Sequence, residues 1–153
     1  MLRAIASVIV GYIVMAAILM VALTGLYLAL GADKSFEPGL WVPSKLWIAI
    51  MIGVNIVVAL AGGWVCKAIA KSATPPRVLA VIVLVLGILM AVLTMGKSAP
   101  AEARGPSVSN MEAMNKAVTP TWVNVANALI GFTGVMVGAG LGKERAGGAK
   151  LPA

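Results

Sequence analysis

The sequence has no histidine and a single cysteine, Cys66, in 153 residues. Without histidine there is no imidazole general base, no Ser-His-Asp triad and no histidine metal ligand. One cysteine excludes a disulfide within the chain and the usual cysteine-ligated zinc and iron–sulfur sites. We therefore expect no enzyme activity, no catalytic residue, no metal site and no bound cofactor.

Charged residues are also scarce. They make up 11% of the chain, against about 25% in soluble domains, while hydrophobic residues make up 61%. This balance is typical of an integral membrane protein. The formal net charge of +7 would suit nucleic acid, but the basic residues stand in short clusters between apolar runs, as charges that flank membrane spans do. The expected partner is the lipid bilayer and not nucleic acid.

Four apolar runs are long enough to cross a bilayer as helices: 4–30, 44–66, 78–96 and 119–143. The first is far longer than the apolar core of a signal peptide, about 7–15 residues, and so it is interpreted as a span. The expected fold class is all-α and polytopic, with a four-helix transmembrane domain at 1–143 and a flexible cytoplasmic tail at 144–153. The short proline-containing turn between the second and third spans predicts that they are antiparallel neighbours.

The longest polar segment, residues 97–118, joins the third and fourth spans. It contains a serine, Ser109, three residues before a glutamate, which is the capping-box spacing that begins a helix. We expect a short amphipathic helix there, lying on the membrane surface or over the mouth of the bundle; a solvated loop is the alternative. Met111, Met114 and Val118 are expected to share one face of this helix, and the residues expected to form a docking surface are Met111, Met114 and Trp122.

Lysine and arginine indicate the orientation, because cytoplasmic segments are enriched in them. The basic residues assigned to the inner side are Arg3, Lys67, Lys71, Arg77, Lys143, Arg145 and Lys150. On the outer side the basic residues are mixed with acidic ones. We expect a bacterial inner (plasma) membrane protein with both termini cytoplasmic. The tryptophans expected at the outer interface are Trp41, Trp47 and Trp122, with Trp64 near the inner one.

Small residues recur at spacings of three and four on the second and fourth spans, which places them on one face of each helix. They are Ala59 and Gly62 on the second span, and Gly131, Gly134 and Gly138 on the fourth. Small residues let helix backbones approach closely, so these stripes predict packing inside the bundle, with a dimer or partner interface as the alternative. Val135 is expected on the lipid side of the fourth span.

Five uncharged polar residues lie inside the runs, in the outer half or near the midplane: Thr24, Asn55, Thr94, Asn124 and Asn127. Interhelical hydrogen bonds, worth on average about 0.6 kcal/mol each, explain them most simply. A polar vestibule that binds a ligand is the alternative. No acidic or basic residue lies well inside a run, whereas ion-coupled pumps accept the cost of one, about 2.5–3.5 kcal/mol. Proton-coupled transport and voltage sensing by this chain alone are therefore not expected.

A resemblance is carried by three stretches: MLRAIASVIVGY at 1–12, AGGW at 61–64, and MEAMNKAV at 111–118 followed by PTW at 120–122. They resemble small bacterial inner-membrane proteins to which no activity is assigned. The resemblance implies four helices and a bacterial origin, and it implies no site residues. Small multidrug transporters also have four short helices, but their first helix carries a membrane-buried glutamate that this chain lacks.

The function favoured by these features is that of a non-catalytic accessory or structural subunit, packed against other membrane protein subunits in a larger complex. The alternative is a small oligomeric transporter or channel that works around an outward-facing polar cluster. An intramembrane enzyme would need a nucleophile–base pair, and no such pair is found in the sequence.

Overall fold

The computed structural model describes residues 2–105 and 107–144, with side chains described as far as residue 141. Within this part of the chain six helices form and no β-strand does, apart from an isolated bridge between Phe36 and Pro43. The helices are α1 (Leu2–Leu30), α2 (Ala32–Ser35), α3 (Lys45–Ala70), α4 (Thr74–Thr94), α5 (Asn110–Lys116) and α6 (Thr121–Glu144). From residue 145 onward, the C-terminal tail that is predicted to be flexible lies outside the described residues.

Four of these helices, α1, α3, α4 and α6, are long and apolar enough to cross a membrane. Between 17% and 33% of the residues in the most apolar window of each helix are buried inside the protein, so most of their apolar side chains face outward. Apolar surface of this extent is unfavourable in water. The all-helical architecture with four helices of spanning length is confirmed, and it indicates a multi-pass membrane protein.

The start of α4 differs from the prediction. The sequence places Pro75 and Pro76 in a turn and begins the helix at Val78, whereas the helix begins at Thr74 and holds both prolines in its first turn. The N–H groups of a first turn have no partner within the helix, so a residue without an N–H is accommodated there at little cost. The connection between α3, which ends at Ala70, and α4 is therefore shorter than the sequence predicts.

The central helix of the bundle is α6. It is the least apolar and the most buried of the four long helices. It packs along α3 and along α4, and α1 packs mainly on α3. The helices α3 and α4, predicted to be neighbours because a short turn joins them, contact each other sparingly because each packs chiefly on α6.

The directions of the helices follow from which residues face each other. Helices α3 and α6 run parallel, and α4 runs antiparallel to α6. The facing pairs are Asn55 with Asn127 and Gly63 with Val135 for α3 and α6, and Thr94 with Asn124 and Val83 with Gly131 for α4 and α6. One end of the bundle therefore holds the α3–α4 turn, and the opposite end holds the two long connections.

The closest approach between helices is the contact we call the α3–α6 seam, formed by Ala59, Leu60 and Gly63 of α3 and by Gly134, Val135 and Gly138 of α6. A Cβ atom at Gly138 would collide with the backbone carbonyl of Leu60, and one at Gly63 would collide with the carbonyl of Val135. A Cβ at Gly134 would lie 2.6 Å from the Cβ of Ala59. Backbones this close leave no room for side chains, so glycine is required at these positions.

The assignment of Val135 to the lipid side is wrong. Its side chain is fully buried in the core cluster that includes Val58 and Ala59 of α3 and Leu79 of α4. The physical reason is that α6 packs on two helices at once. Its buried arc is therefore wider than the stripe marked by its glycines.

The remaining small residues contact other helices. A Cβ at Gly131 would lie 2.7 Å from Val83 of α4, and a Cβ at Gly62 would overlap Met15 of α1. Gly62 therefore packs toward α1 and not toward α6. Cys66 is fully buried beside the same α1 contact, 3.1 Å from where a Cβ on Gly11 would stand, which makes it a packing residue.

We predict that Gly138→Ala destabilises the bundle by about 1–3 kcal/mol, because the added methyl group overpacks a backbone contact. The matched control is Gly140→Ala on the same helix, where nothing lies within 4 Å of the new Cβ. The control should leave stability unchanged or raise it by up to about 1 kcal/mol, since alanine is the better helix former. Unfolding in a detergent titration measures both variants, and equal effects would remove the argument for the seam.

Candidate functional site

Three of the predicted polar residues, Asn55, Asn124 and Asn127, line one cavity of about 220 Å³. All four long helices contribute to its wall: Leu19 and Leu23 from α1, Met51 and Asn55 from α3, Val83, Gly87 and Met90 from α4, and Asn124, Asn127 and Ala128 from α6. The three asparagines bring together polar groups from α3 and α6 against an otherwise apolar wall. This cavity is the candidate functional site.

Asn55 connects α3 to α6 inside the cavity. Its Nδ2 group donates hydrogen bonds to the backbone carbonyl of Asn127, at 2.9 Å, and to the Asn127 Oδ1 atom, at 3.1 Å. The bonds extend the α3–α6 contact toward the end that holds the long connections. They also fix the orientation of both amides, so the groups that face the cavity are held in place.

Asn124 makes the corresponding contact with α4. Its Nδ2 donates to the Oγ1 atom of Thr94 at 3.1 Å. The Thr94 hydroxyl in turn donates to the backbone carbonyl of Met90 at 2.8 Å, one turn earlier in its own helix. The polar side chains in this region are thus bonded to one another and to backbone, as expected for groups removed from water.

Thr24 does not join the three asparagines. Its hydroxyl accepts a hydrogen bond of 3.3 Å from the Nδ2 group of Asn110 in α5, and it lines a second cavity of about 460 Å³ that lies under α5. The side chains common to the walls of both cavities are Leu19, Leu23 and Met51. The predicted polar cluster is therefore divided in two by an apolar partition.

The asparagine cavity offers neutral amide donors and acceptors and no charge in its wall. Such a lining can hold water or a small uncharged polar molecule, since an ion would lose more hydration energy than neutral amides return. In the described part of the chain no group of three acidic, cysteine or histidine residues could hold a metal ion. The three asparagines thus offer hydrogen-bond donors and acceptors to a molecule bound in this cavity.

The end of the bundle beside this cavity carries an ordered cap, made of residues 31–44 and of the described residues between 97 and 120. Arg104 lies in the second of these segments and contacts the first, and its side chain is 3% exposed. Its Nη2 atom lies 3.0 Å from the Oδ1 atom of Asp33, and its guanidinium lies 5.6 Å from the centre of the Phe36 ring. Nη1 donates to the carbonyl of Gly105 at 2.9 Å. Arg104 thus holds the second connection against the first.

Trp41 is the second residue that holds the cap together, and its ring is buried within the cap instead of being exposed at a lipid interface. The side chain is buried, its Nε1 donates to the carbonyl of Glu102 at 3.0 Å, and Lys116 Nζ lies 4.9 Å from the ring centre. The backbone carbonyl of Trp41 accepts from the N–H of Val118 at 2.9 Å. The indole is used to join the two connections, so it is withdrawn from the surface.

The helix α5 sits over the mouth of the bundle. The side chain of Ser109 accepts a bond from the N–H of Glu112, which is the capping contact expected from the sequence. Hydrogen bonding to the Glu112 carboxylate raises the pKa of Lys116 above its ordinary value. Ala113 is the buried residue of this helix, packed in a small core with Tyr27 of α1.

The apolar side chains expected to form a docking surface remain on the outside of the protein. The exposed fractions are 69% for Met111, 61% for Met114 and 61% for Trp122. Below them, the Tyr27 hydroxyl donates to the carbonyl of Val108 at 2.9 Å, and the Tyr27 and Trp47 rings meet edge to face. The backbone that carries the two methionines is therefore fixed to α1.

Sequence reasoning missed the role of Arg104, which it counted only among the basic residues of the outer side. A signal was present in the opposite charges of Asp33 and Arg104, placed in two connections at the same end of the bundle. The pairing could not be chosen from the sequence, because Glu37, Glu102 and Glu112 offer equivalent charges at that end.

The chain matches no protein-family model, no curated protein and no solved structure.

We predict that Arg104→Ala lowers the free energy of unfolding by about 1.5–3 kcal/mol, as for loss of a buried, charge-assisted hydrogen-bonding group. Asp33→Asn should cost at most about 1 kcal/mol, because the Asp33 side chain is 75% exposed and ion pairs with an exposed partner contribute little. Thermal unfolding in mild detergent compares the two variants. A loss at Asp33 as large as that at Arg104 would show that the ion pair alone holds the cap.

Proposed function

We propose that this chain is a non-catalytic accessory or structural subunit of a larger bacterial membrane protein complex. The observation that carries the proposal is the contrast between the interior and the cap. Inside the bundle, Asn55 donates a hydrogen bond to Asn127 of α6, and Asn124 donates one to Thr94 of α4. On the cap, Met111 and Met114 stand exposed on a backbone that is fixed from several sides.

The cap suits a docking surface because it is preorganised. The contacts of Arg104 and Trp41 join the two connections of the cap to each other, and the Tyr27 hydroxyl bonds the cap to α1. A partner would therefore not have to order a flexible loop on binding. Methionine and tryptophan are enriched at the cores of protein interfaces. A partner subunit of this complex would cover Met111, Met114 and Trp122.

The localisation proposed is the bacterial inner (plasma) membrane, with both termini and the α3–α4 turn cytoplasmic. The basic residues of that end are Arg3, Lys67, Lys71 and Arg77. The acidic residues with described side chains all belong to the cap and its connections at the other end: Asp33, Glu37, Glu102 and Glu112. Cytoplasmic segments are enriched in lysine and arginine. With Lys143, Arg145 and Lys150, which follow the fourth span in the sequence, the proposed inner side would carry seven of the twelve basic residues, which supports this orientation.

Because Cys66 is fully buried, the orientation is best tested with a cysteine placed elsewhere. We predict that Ser72→Cys in a Cys66→Ala chain reacts with a membrane-impermeant thiol reagent only after the cells are opened. Ser107→Cys in the cap should react in cells whose outer membrane alone is permeabilised. Both positions are exposed. The reverse pattern would overturn the proposed orientation.

The subunit proposal is tested by photocrosslinking. A photoreactive amino acid at position 111 should capture, in living cells, the same membrane protein that copurifies with the chain in mild detergent. Met111→Ser combined with Met114→Ser should reduce the copurified partner about tenfold or more, because buried apolar anchors dominate interface energetics.

The matched control is Met95→Ser, since Met95 is 66% exposed at the end of α4 and lies off the cap helix. It should leave the partner in place. A chain that purifies alone from cells, with position 111 crosslinked only to lipid, would contradict the subunit proposal.

A second candidate is a small oligomeric transporter or channel with an outward-facing polar cluster. The observation that favours it is that the asparagine cavity and the cavity under α5 adjoin along Leu19, Leu23 and Met51. Movement of these three flexible side chains would connect the cap to the three amides. The neutral lining favours small uncharged polar solutes over ions.

This candidate predicts glycerol flux into liposomes that contain the purified protein, measured by light scattering. Alanine at Asn55, Asn124 and Asn127 together should abolish the flux, while Asn115→Ala, at an exposed amide in α5, should not change it. Liposomes that swell no faster than empty ones would rule out this candidate for glycerol-sized solutes.

A further inference from the structure

We propose that the basic end of the bundle holds a binding site for one anionic phospholipid, with an acyl chain in a groove between α1 and α4 and the phosphate on the cations beside it. The site lies at the end opposite the cap and shares no residue with the asparagine cavity. It is independent of the subunit proposal and requires only that the four long helices lie in a bilayer.

The groove has a volume of about 350 Å³. Its walls are Ala4, Ile5, Val8 and Ile9 of α1, Pro75 and Val78 of α4, and the hydroxyl-bearing residues Ser72 and Thr74 at the turn. Apolar side chains thus form most of its length, and two hydroxyls stand at the end toward the turn. The apolar length of the groove suits an acyl chain, and the end with the two hydroxyls suits the glycerol–phosphate region of the same lipid.

The groove ends where α1 and α4 meet. There a Cβ on Gly11 would lie 3.0 Å from the Leu79 side chain, and Leu79 itself is fully buried. Toward the turn the helices leave the groove open, with Ile5 and Val78 exposed on its two sides. An acyl chain could enter from the side, as a lipid in the same leaflet would.

Three cations are sequence neighbours of residues in the groove wall, so the Cα atom of each lies about 3.8 Å from that of a wall residue. Arg3 precedes Ala4, Lys71 precedes Ser72, and Arg77 precedes Val78. The Nε group of Arg3 donates to the carbonyl of Ile69 at 2.8 Å, which holds the guanidinium at the end of α3, two residues before Lys71. The backbones of all three cations therefore adjoin the end of the groove at the α3–α4 turn, within reach of a headgroup bound there.

These cations have no acidic partner among the residues with described side chains. The ion pairs found in that part of the chain all belong to the cap. The α4 N-terminus adds the positive end of a helix dipole at the same place. Positive potential that no described acidic side chain neutralises is complementary to a phosphate, and arginine is suited to binding phosphate oxygens in pairs.

The occupant is a lipid and not a free anion because the groove itself is apolar. Inorganic phosphate would use the cations and leave the wall formed by Ile5, Ile9 and Val78 uncovered. A zwitterionic lipid would fill the groove but would present a cationic group beside Lys71 and Arg77. An anionic phospholipid satisfies both halves of the site.

The test uses the full chain in mild detergent, with phosphatidylglycerol and phosphatidylcholine of identical acyl chains as probes and native mass spectrometry as the readout. Phosphatidylglycerol should bind more tightly. Lys71→Gln combined with Arg77→Gln should weaken its binding about 30-fold, as expected for two basic residues beside an anionic headgroup. Arg3 is left unchanged because its side chain also bonds to α3.

The matched control is Lys45→Gln combined with Lys97→Gln, two exposed cations at the cap end, which should leave lipid binding unchanged. Ile5→Ser combined with Val78→Ser should weaken binding of the lipid while leaving any binding of inorganic phosphate unaltered. Equal affinity for the two lipids, an equal loss in the control, or displacement of the lipid by millimolar inorganic phosphate would each overturn the proposal.

Discussion

The contact on which the rest of the structure depends is the backbone approach of α3 and α6 at the α3–α6 seam. With a glycine on each side, at Gly63 and Gly138, two parallel helices touch along their main chains. In lipid, where burial of apolar surface gives no drive for helices to associate, such close packing is the main source of affinity between them. Once α3 and α6 are paired, α1 packs on α3 and α4 packs on α6.

The polar contacts depend on that pairing in turn. Asn55 can bond to Asn127 only because the seam sets the register of α3 against α6. At the same end, Arg104 and Trp41 join the two long connections into the cap. The two long connections and the exposed methionines Met111 and Met114 belong to one end of the bundle, and the cations without a described acidic partner belong to the other. The two proposals accordingly assign a protein partner to the cap and an anionic lipid to the α3–α4 turn.

Much of the fold could be predicted from the sequence, because length and apolarity are properties of single helices, and because Ser109 and Glu112 are local signals for the start of α5. The features that could not be predicted from the sequence depend on which helices pack against each other. Val135 is buried because α6 has two neighbours, and Gly62 faces Met15 because α1 lies on that side of α3. Of the five polar residues, three share a cavity. Thr24 lies apart from them, and its hydroxyl accepts a hydrogen bond from Asn110, a residue 86 positions away in the chain.

The most direct measurement of this account is disulfide formation between α3 and α6 in native membranes. In a Cys66→Ala chain, Asn55→Cys paired with Asn127→Cys replaces two side chains that contact each other beside the α3–α6 seam and should give a rapid crosslink within one chain. Asn55→Cys paired with Met136→Cys, a more exposed position on the same helix as Asn127, should not. Crosslinks that join two chains, or equal crosslinking by both pairs, would contradict the account, since the glycine face of α6 would then belong to an interface between molecules.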